Sequence, residues 1–123
     1  EEQELMRLIG MDGGFPIFGG RDGLAVVTNN ASANKIDSFL QRSFAYDAEV
    51  RDGMVTATLT INLRNNAPTG GYPSYVIGSE FLTMPSGTNR TLLSVYSPLI
   101  RTSAMLDGEP VLMSNAGEFG ANV

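Results

Sequence analysis

The sequence predicts a mostly β fold, an antiparallel immunoglobulin-like β-sandwich preceded by a short N-terminal helix. Three observations carry that reading. Two runs of alternating apolar and polar residues meet at Asp52-Gly53. Further short apolar runs recur along the chain, separated by Gly, Pro, Asn and Asp clusters. Helical periodicity is confined to the first nine residues. Many short strands with frequent turn signals are the pattern of a sandwich.

The elements follow in order. Glu1 to Ile9 reads as the end of a helix, with Gly10 as its stop. Met11 to Gly23 is a Gly-rich, aromatic loop that holds at most a short extended piece at Phe15 to Phe18. Residues 1–23 therefore form a helix end and lead-in, and 24–123 the sandwich. Leu24 to Thr28 is a short strand, and Asn29 to Asn34 supplies turn residues.

The strongest signal comes next. Phe44, Tyr46, Ala48 and Val50 alternate with Ala45, Asp47 and Glu49. After Asp52-Gly53, Val55, Ala57, Leu59, Ile61 and Leu63 alternate with Thr56, Thr58, Thr60, Asn62 and Arg64. A type I′ turn at Asp-Gly closes Arg51 on Met54. It then pairs Val50 with Val55, Ala48 with Ala57, Tyr46 with Leu59 and Phe44 with Ile61. Every apolar residue falls on one face, and a slip of one residue would expose them all. That face is expected to be buried, with Leu59 in the core.

Asn65 to Pro73 is irregular, with two prolines and two glycines. Tyr75 to Gly78 is read as a short strand and Glu80 to Asn89 as a loop. Thr91 to Tyr96 is a strand stopped at Ser97-Pro98. Ile100 to Leu106 and Glu109 to Ser114 make a second hairpin around Asp107-Gly108, with Pro110 forcing an edge or a bulge. A closing strand or two is expected beyond Val123, and the whole is expected to be a piece of a longer protein.

The totals exclude several function classes. The chain has 123 residues, 42% of them hydrophobic and 17% charged, with net charge −5. That is the size of one domain and a globular composition. Eight scattered basic residues do not make a nucleic-acid surface, which needs clustered Lys and Arg to displace counterions. The absence of Cys excludes disulfides and thiolate chemistry, and the absence of His removes the commonest general base and metal ligand. No apolar run approaches the ~20 residues of a membrane span.

No catalytic motif stands out. Gly19-Gly20 leads to Arg21 and a strand, not to the Lys-Ser/Thr and helix of a phosphate loop. Asp12, Asp22, Asp52 and Asp107 each precede Gly but lack calcium-loop spacing, so they read as turns. No metal site and no cofactor are expected. Asn30-Ala31-Ser32 and Asn89-Arg90-Thr91 match the glycosylation acceptor pattern, which is short enough to arise by chance. Tyr72, Tyr75, Phe81 and Tyr96 suit sugar stacking in principle, but aromatics beside short strands more often fill a core.

Several stretches carry a family resemblance. They are Asp22 to Asp37, Ala57 to Pro68, Tyr75 to Gly78, Gly87 to Thr91 and Tyr96-Ser97-Pro98. In that order they resemble the domain of unknown function 4012, found chiefly in actinobacterial envelope proteins. The resemblance covers most of Gly10 to Val123 and corresponds to the C-terminal part of such proteins. It implies an extracytoplasmic location, a membrane anchor and a helix-rich region upstream, and an association with surface polysaccharide. It implies no catalytic residue. Asn34-Lys35-Ile36-Asp37 is its most recognisable short motif. Alternation alone accounts for that motif: Asn34 turns the chain, Ile36 points inward, and Lys35 and Asp37 flank it on the opposite side.

The functional expectation is a non-catalytic binding or scaffolding module of the cell envelope. Lys35, Asp37, Tyr72 and Tyr75 are its candidate ligand contacts. The expected partner is an envelope glycan or protein, or a second copy of the chain through an exposed strand edge. The alternative is a fragment of an envelope glycan-processing enzyme whose active site needs the upstream region. Its candidate residues are Asp37, Glu80, Arg90 and Glu118, which the sequence gives no means of bringing together.

Overall fold

The computed structural model describes residues 2–8, 22–78, 84–118 and 121–122. The fold is mostly β. Its elements run α1 (Glu2–Leu8), β1 (Ala25–Asn30), a 3-10 turn (Ile36–Phe39), β2 (Leu40–Arg51), β3 (Met54–Asn65), α2 (Ser74–Ile77), β4 (Thr91–Tyr96), β5 (Met105–Leu106), β6 (Glu109–Pro110), β7 (Gly117–Glu118) and β8 (Ala121–Asn122). They form four two-stranded sheets, β1–β4, β2–β3, β5–β6 and β7–β8. The mostly β character is thus present, and the pairing among the described residues is two-stranded. The chain divides into two compact units, Asn29–Leu92 and a second made of Glu1–Thr28 with Leu93–Val123.

The β2–β3 hairpin dominates the first unit. Each strand is 12 residues long, and they pair from Arg51↔Met54 at the turn to Leu40↔Asn65 at the base. Asp52 has φ 51° and Gly53 φ 77°, the two positive values a type I′ turn requires. The register is the one that turn chemistry and residue parity predict independently: Val50↔Val55, Ala48↔Ala57, Tyr46↔Leu59 and Phe44↔Ile61. A Cβ at Gly53 would meet nothing within 4 Å, so glycine is favoured there by backbone conformation and not by space.

Parity survives, but burial does not follow it fully. Thr56, Thr58 and Thr60 are exposed, as expected, opposite exposed Glu49, Asp47 and Ala45. On the apolar face Tyr46, Ala57, Leu59 and Ile61 are only half-buried. Phe44 is 48% exposed, Val50 69%, Val55 41% and Leu63 39%. The expectation that this face lies in the core is corrected. Alternation fixes which side chains share a face, but it does not supply the layer that covers them. Among the described residues, the fully buried hydrophobic side chains are Ile36 and Ile77.

Three strand expectations change length or type. Tyr75 to Gly78 is not extended: Ser74–Ile77 forms one helical turn, with Gly78 N–H donating to Ser74 O at 2.7 Å. The β-branched pair Val76-Ile77 suggested a strand, but a four-residue apolar run does not distinguish the two by period. β1 extends through Asn29 and Asn30, both expected in the turn. The second Asp-Gly hairpin forms, with Asp107 φ 51° and Gly108 φ 87°, but its ladder is two residues long. Pro110 cannot donate to a ladder, and Val111 N–H to Ala104 O (3.1 Å) is the next bond. β4 spans Thr91–Tyr96 as predicted, and the N-terminal helix is present. The expected extended piece at Phe15 to Phe18 lies outside the described residues.

In the second unit, Arg101 ties its segment to the chain after β6. Its guanidinium donates to Asn115 Oδ1 through Nη2 (2.8 Å) and Nε (3.2 Å), and to Met113 O (2.9 Å).

Incomplete cover sets the stability pattern of the hairpin. Leu59→Ala is expected to cost about 1–2 kcal/mol, below the ~2–5 kcal/mol of a sealed core site. Thr58→Ala on the other face is expected to stay within about 0.5–1 kcal/mol. Urea unfolding midpoints at constant m-value check both; equal costs at the two positions would show that the two faces do not differ.

Candidate functional site

The candidate residues lie where the 3-10 turn, α2 and the segment before β4 meet, all within Asn29–Leu92. Asparagine amides build this joint. Asn30 Oδ1 accepts from Ser32 N–H (2.9 Å), forming a local turn on the side chain. Its Nδ2 donates to Asn34 Oδ1 (2.8 Å) and Asn34 O (2.9 Å). Asn34 Oδ1 also accepts from Ile36 N–H (3.3 Å), and Asn34 Nδ2 donates to Gly78 O. Lys35 N–H donates to Tyr75 O (3.1 Å). These bonds join the turn to α2, and Ile36 and Ile77, on the two joined segments, are the buried pair.

A second set closes the other side. Asn65 Nδ2 donates to Gly87 O (2.7 Å), and Gly87 N–H donates to Ile77 O (2.8 Å). Gly87 has φ 83°, and a Cβ there would sit 2.7 Å from Pro68 O, so both conformation and space demand glycine. Asn89 Nδ2 donates to Asp37 Oδ1 (3.0 Å), while Asn89 Oδ1 accepts from Thr91 Oγ1 (2.7 Å).

The four candidate ligand contacts fall on these two joined segments. Lys35 is exposed, and its backbone holds Tyr75. Asp37 is half-buried and bonded to Asn89, a contact that alternation about Ile36 does not give. The motif enters a 3-10 turn, so side chains do not simply alternate. Ile36 is inward, at 0% exposure, as expected. Tyr72 packs edge-on against Phe39, with ring centroids 5.3 Å apart at 76°, and remains 52% exposed. Tyr75 is 67% exposed. The expectation that these tyrosines fill a core is therefore corrected: Tyr72 lies in the irregular segment before α2 with one edge contact to Phe39, and the single turn of α2 leaves Tyr75 exposed. Phe81 lies outside the described residues, and Tyr96 is half-buried in β4.

Of the acid–base candidates, Asp37 and Arg90 belong to this unit, Glu118 belongs to the other, and Glu80 lies outside the described residues. Among the described residues no group of three or more acidic, His or Cys side chains is placed to hold a metal ion. No helix among them is long and apolar enough to cross a membrane.

No family model, curated protein or solved structure matches this chain. Local geometry therefore carries the weight.

Sequence reasoning missed two features. Asn65 and Gly87 are tied across 22 positions by a bond that no local pattern announces. An open depression of about 490 Å³ lies at the hairpin base, lined by Gln41, Arg42, Ser43, Asn62 and Arg64. The register Gln41↔Arg64 and Ser43↔Asn62 sets four of these on the polar face.

The geometry also explains both glycosylation-like triplets. Asn30 and Asn89 each have Nδ2 committed to a hydrogen bond in a part-buried site. Intact-mass measurement after secretion from a glycosylating host is expected to show no added glycan; modification at Asn89 would mean that its bond to Asp37 is dispensable. Asn34→Ala is expected to cost about 2–4 kcal/mol, since it strands Gly78 O and Ile36 N–H. Gly87→Ala is expected to exceed the ~1–2 kcal/mol of a left-handed alanine, the cost at open Gly53, because Pro68 must also shift. Chemical denaturation of Gly53→Ala beside Gly87→Ala checks that order.

Proposed function

We propose that this chain is a non-catalytic, extracytoplasmic binding module of a cell-envelope protein, and that it takes a glycan at the joint bearing Lys35, Asp37, Tyr72 and Tyr75. The observation that carries the reading is that Tyr72 and Tyr75 remain mostly exposed on segments held by a dense amide network. Exposed aromatic rings lose little conformational entropy on binding and offer flat apolar area with a polar tip. A pyranose presents the complementary surface, an apolar C–H face ringed by hydroxyls. Lys35 supplies three donors for hydroxyls or for the carboxylate of an acidic sugar. Asp37 has acceptor capacity beyond its bond to Asn89. The amide network limits rearrangement on binding, which reduces the ordering cost.

The cell-envelope setting and the upstream anchor rest on the resemblance to the domain of unknown function 4012. The joint supports the binding reading independently of them.

The test is titration of acidic and neutral envelope polysaccharides into the chain, followed by calorimetry. Saturable binding is expected, with Tyr75→Ala and Tyr72→Ala each weakening it by about tenfold or more, roughly the loss of one stacked ring. Tyr75→Ala should leave the unfolding midpoint nearly unchanged, since its side chain is exposed. Absence of binding to every polysaccharide, or binding indifferent to both substitutions, would overturn the proposal.

A further inference from the structure

The polar depression at the base of the β2–β3 hairpin lies apart from the residues of the tyrosine joint. We infer that it is an anion-binding site whose ligand is the charged group of an acidic or phosphorylated sugar.

The argument begins with how charge is sorted along the hairpin. The basal half holds Arg42 and Arg64 and no carboxylate. The half toward the tip holds Asp47 and Glu49, then Asp52 in the turn, against Arg51. The whole chain has 13 acidic residues to 8 basic, so a basal surface with cations alone runs against the composition. On the face that carries Gln41, Ser43, Asn62 and Arg64, the next row is Ala45/Thr60. The first carboxylate on that face is Asp47, four residues beyond Ser43 and so about 14 Å along the strand. The depression itself is lined by Gln41, Arg42, Ser43, Asn62 and Arg64, with no acid and no aromatic ring.

The lining gives the chemical class. Gln41 lies opposite Arg64, and Ser43 opposite Asn62. Cross-strand neighbours stand about 5 Å apart, and successive rows on one face about 7 Å. Arg64 offers a planar fork of N–H donors that matches a carboxylate or a phosphate. Arg42 lines the same depression and adds positive potential. Gln41, Ser43 and Asn62 each carry an acceptor as well as a donor. A bare oxyanion uses donors only. Hydroxyls beside an anionic group use both, and an acidic or phosphorylated sugar presents that combination. The volume of about 490 Å³ lies within the ~300–1,000 Å³ of small-ligand sites. All five residues are exposed, so the site is open to a sugar carried on a longer chain.

Nuclear magnetic resonance titration of the isotope-labelled chain at low ionic strength tests the inference. The probes are a hexuronate, a hexose phosphate, the neutral hexose and inorganic phosphate. Both sugar anions are expected to shift the Arg64 Nε–H signal and the Gln41 and Asn62 amide signals saturably. They should bind about tenfold or more tightly than the neutral hexose or inorganic phosphate, and added salt should weaken them. The tighter of the two identifies the group as a carboxylate or a phosphate ester. Arg64→Gln should weaken both by about tenfold or more, the loss of a charge-assisted fork, and leave circular dichroism unchanged because the side chain is exposed. Arg51→Gln at the tip makes the same change in charge and should have no such effect. Tyr75→Ala should also have none, so failure here is distinct from failure of glycan binding at the joint. The inference is overturned by the absence of saturable shifts, or by inorganic phosphate or neutral hexose binding as tightly as the sugar anions. Equal weakening by Arg64→Gln and Arg51→Gln, or weakening by Tyr75→Ala, would also overturn it.

Discussion

The side-chain amide of Asn34 is the interaction on which the organisation of residues 29–92 depends. One amide accepts from Asn30 and from the Ile36 backbone and donates to Gly78, a residue 44 positions along the chain. A chain segment that enters a 3-10 turn leaves backbone groups without partners, and burying them unpaired costs ~1–3 kcal/mol each. Asn34 meets that demand on two segments at once. The two buried isoleucines lie on those same segments, so polar satisfaction and hydrophobic burial are coupled there.

The hairpin is stabilised differently. It has little covering layer, and its rigidity comes from a ladder of twelve cross-strand residue pairs and a turn in which both central residues have positive φ. Cross-strand pairs add modest increments, each about 0.2–1 kcal/mol. A two-stranded ribbon alone is marginal in water. Asn66 N–H to Phe39 O (3.1 Å) and Asn65 to Gly87 fasten its base to the amide joint. The tip bears the exposed Arg51–Glu49 pair (2.7 Å), which adds little stability at such exposure.

The two parts differ in what covers them. The joint is held by directional bonds, so rings mounted on it can remain exposed without losing position. The hairpin face is apolar and half-covered, so it gains from any layer laid over it.

The sequence by itself determined the hairpin, including its register. Both signals were local: Asp52-Gly53 dictates the turn, and a period of two dictates the face. It also determined that Ile36 points inward and that Thr91 to Tyr96 is a strand. It misread Tyr75 to Gly78 as a strand, because a run this short has no measurable period and the deciding bond, Gly78 N–H to Ser74 O, belongs to the folded turn. Of the candidate site, the residue names were legible but their surroundings were not. Exposure of Tyr72 and Tyr75, and capture of Asp37 by Asn89, depend on which distant segments arrive alongside. Gly87 shows the same limit: its setting comes from Ile77, Pro68 and Asn65, 10, 19 and 22 positions away. Tertiary structure alone decided how far each face is covered, because alternation records which side chains travel together and carries no information about what lies opposite them.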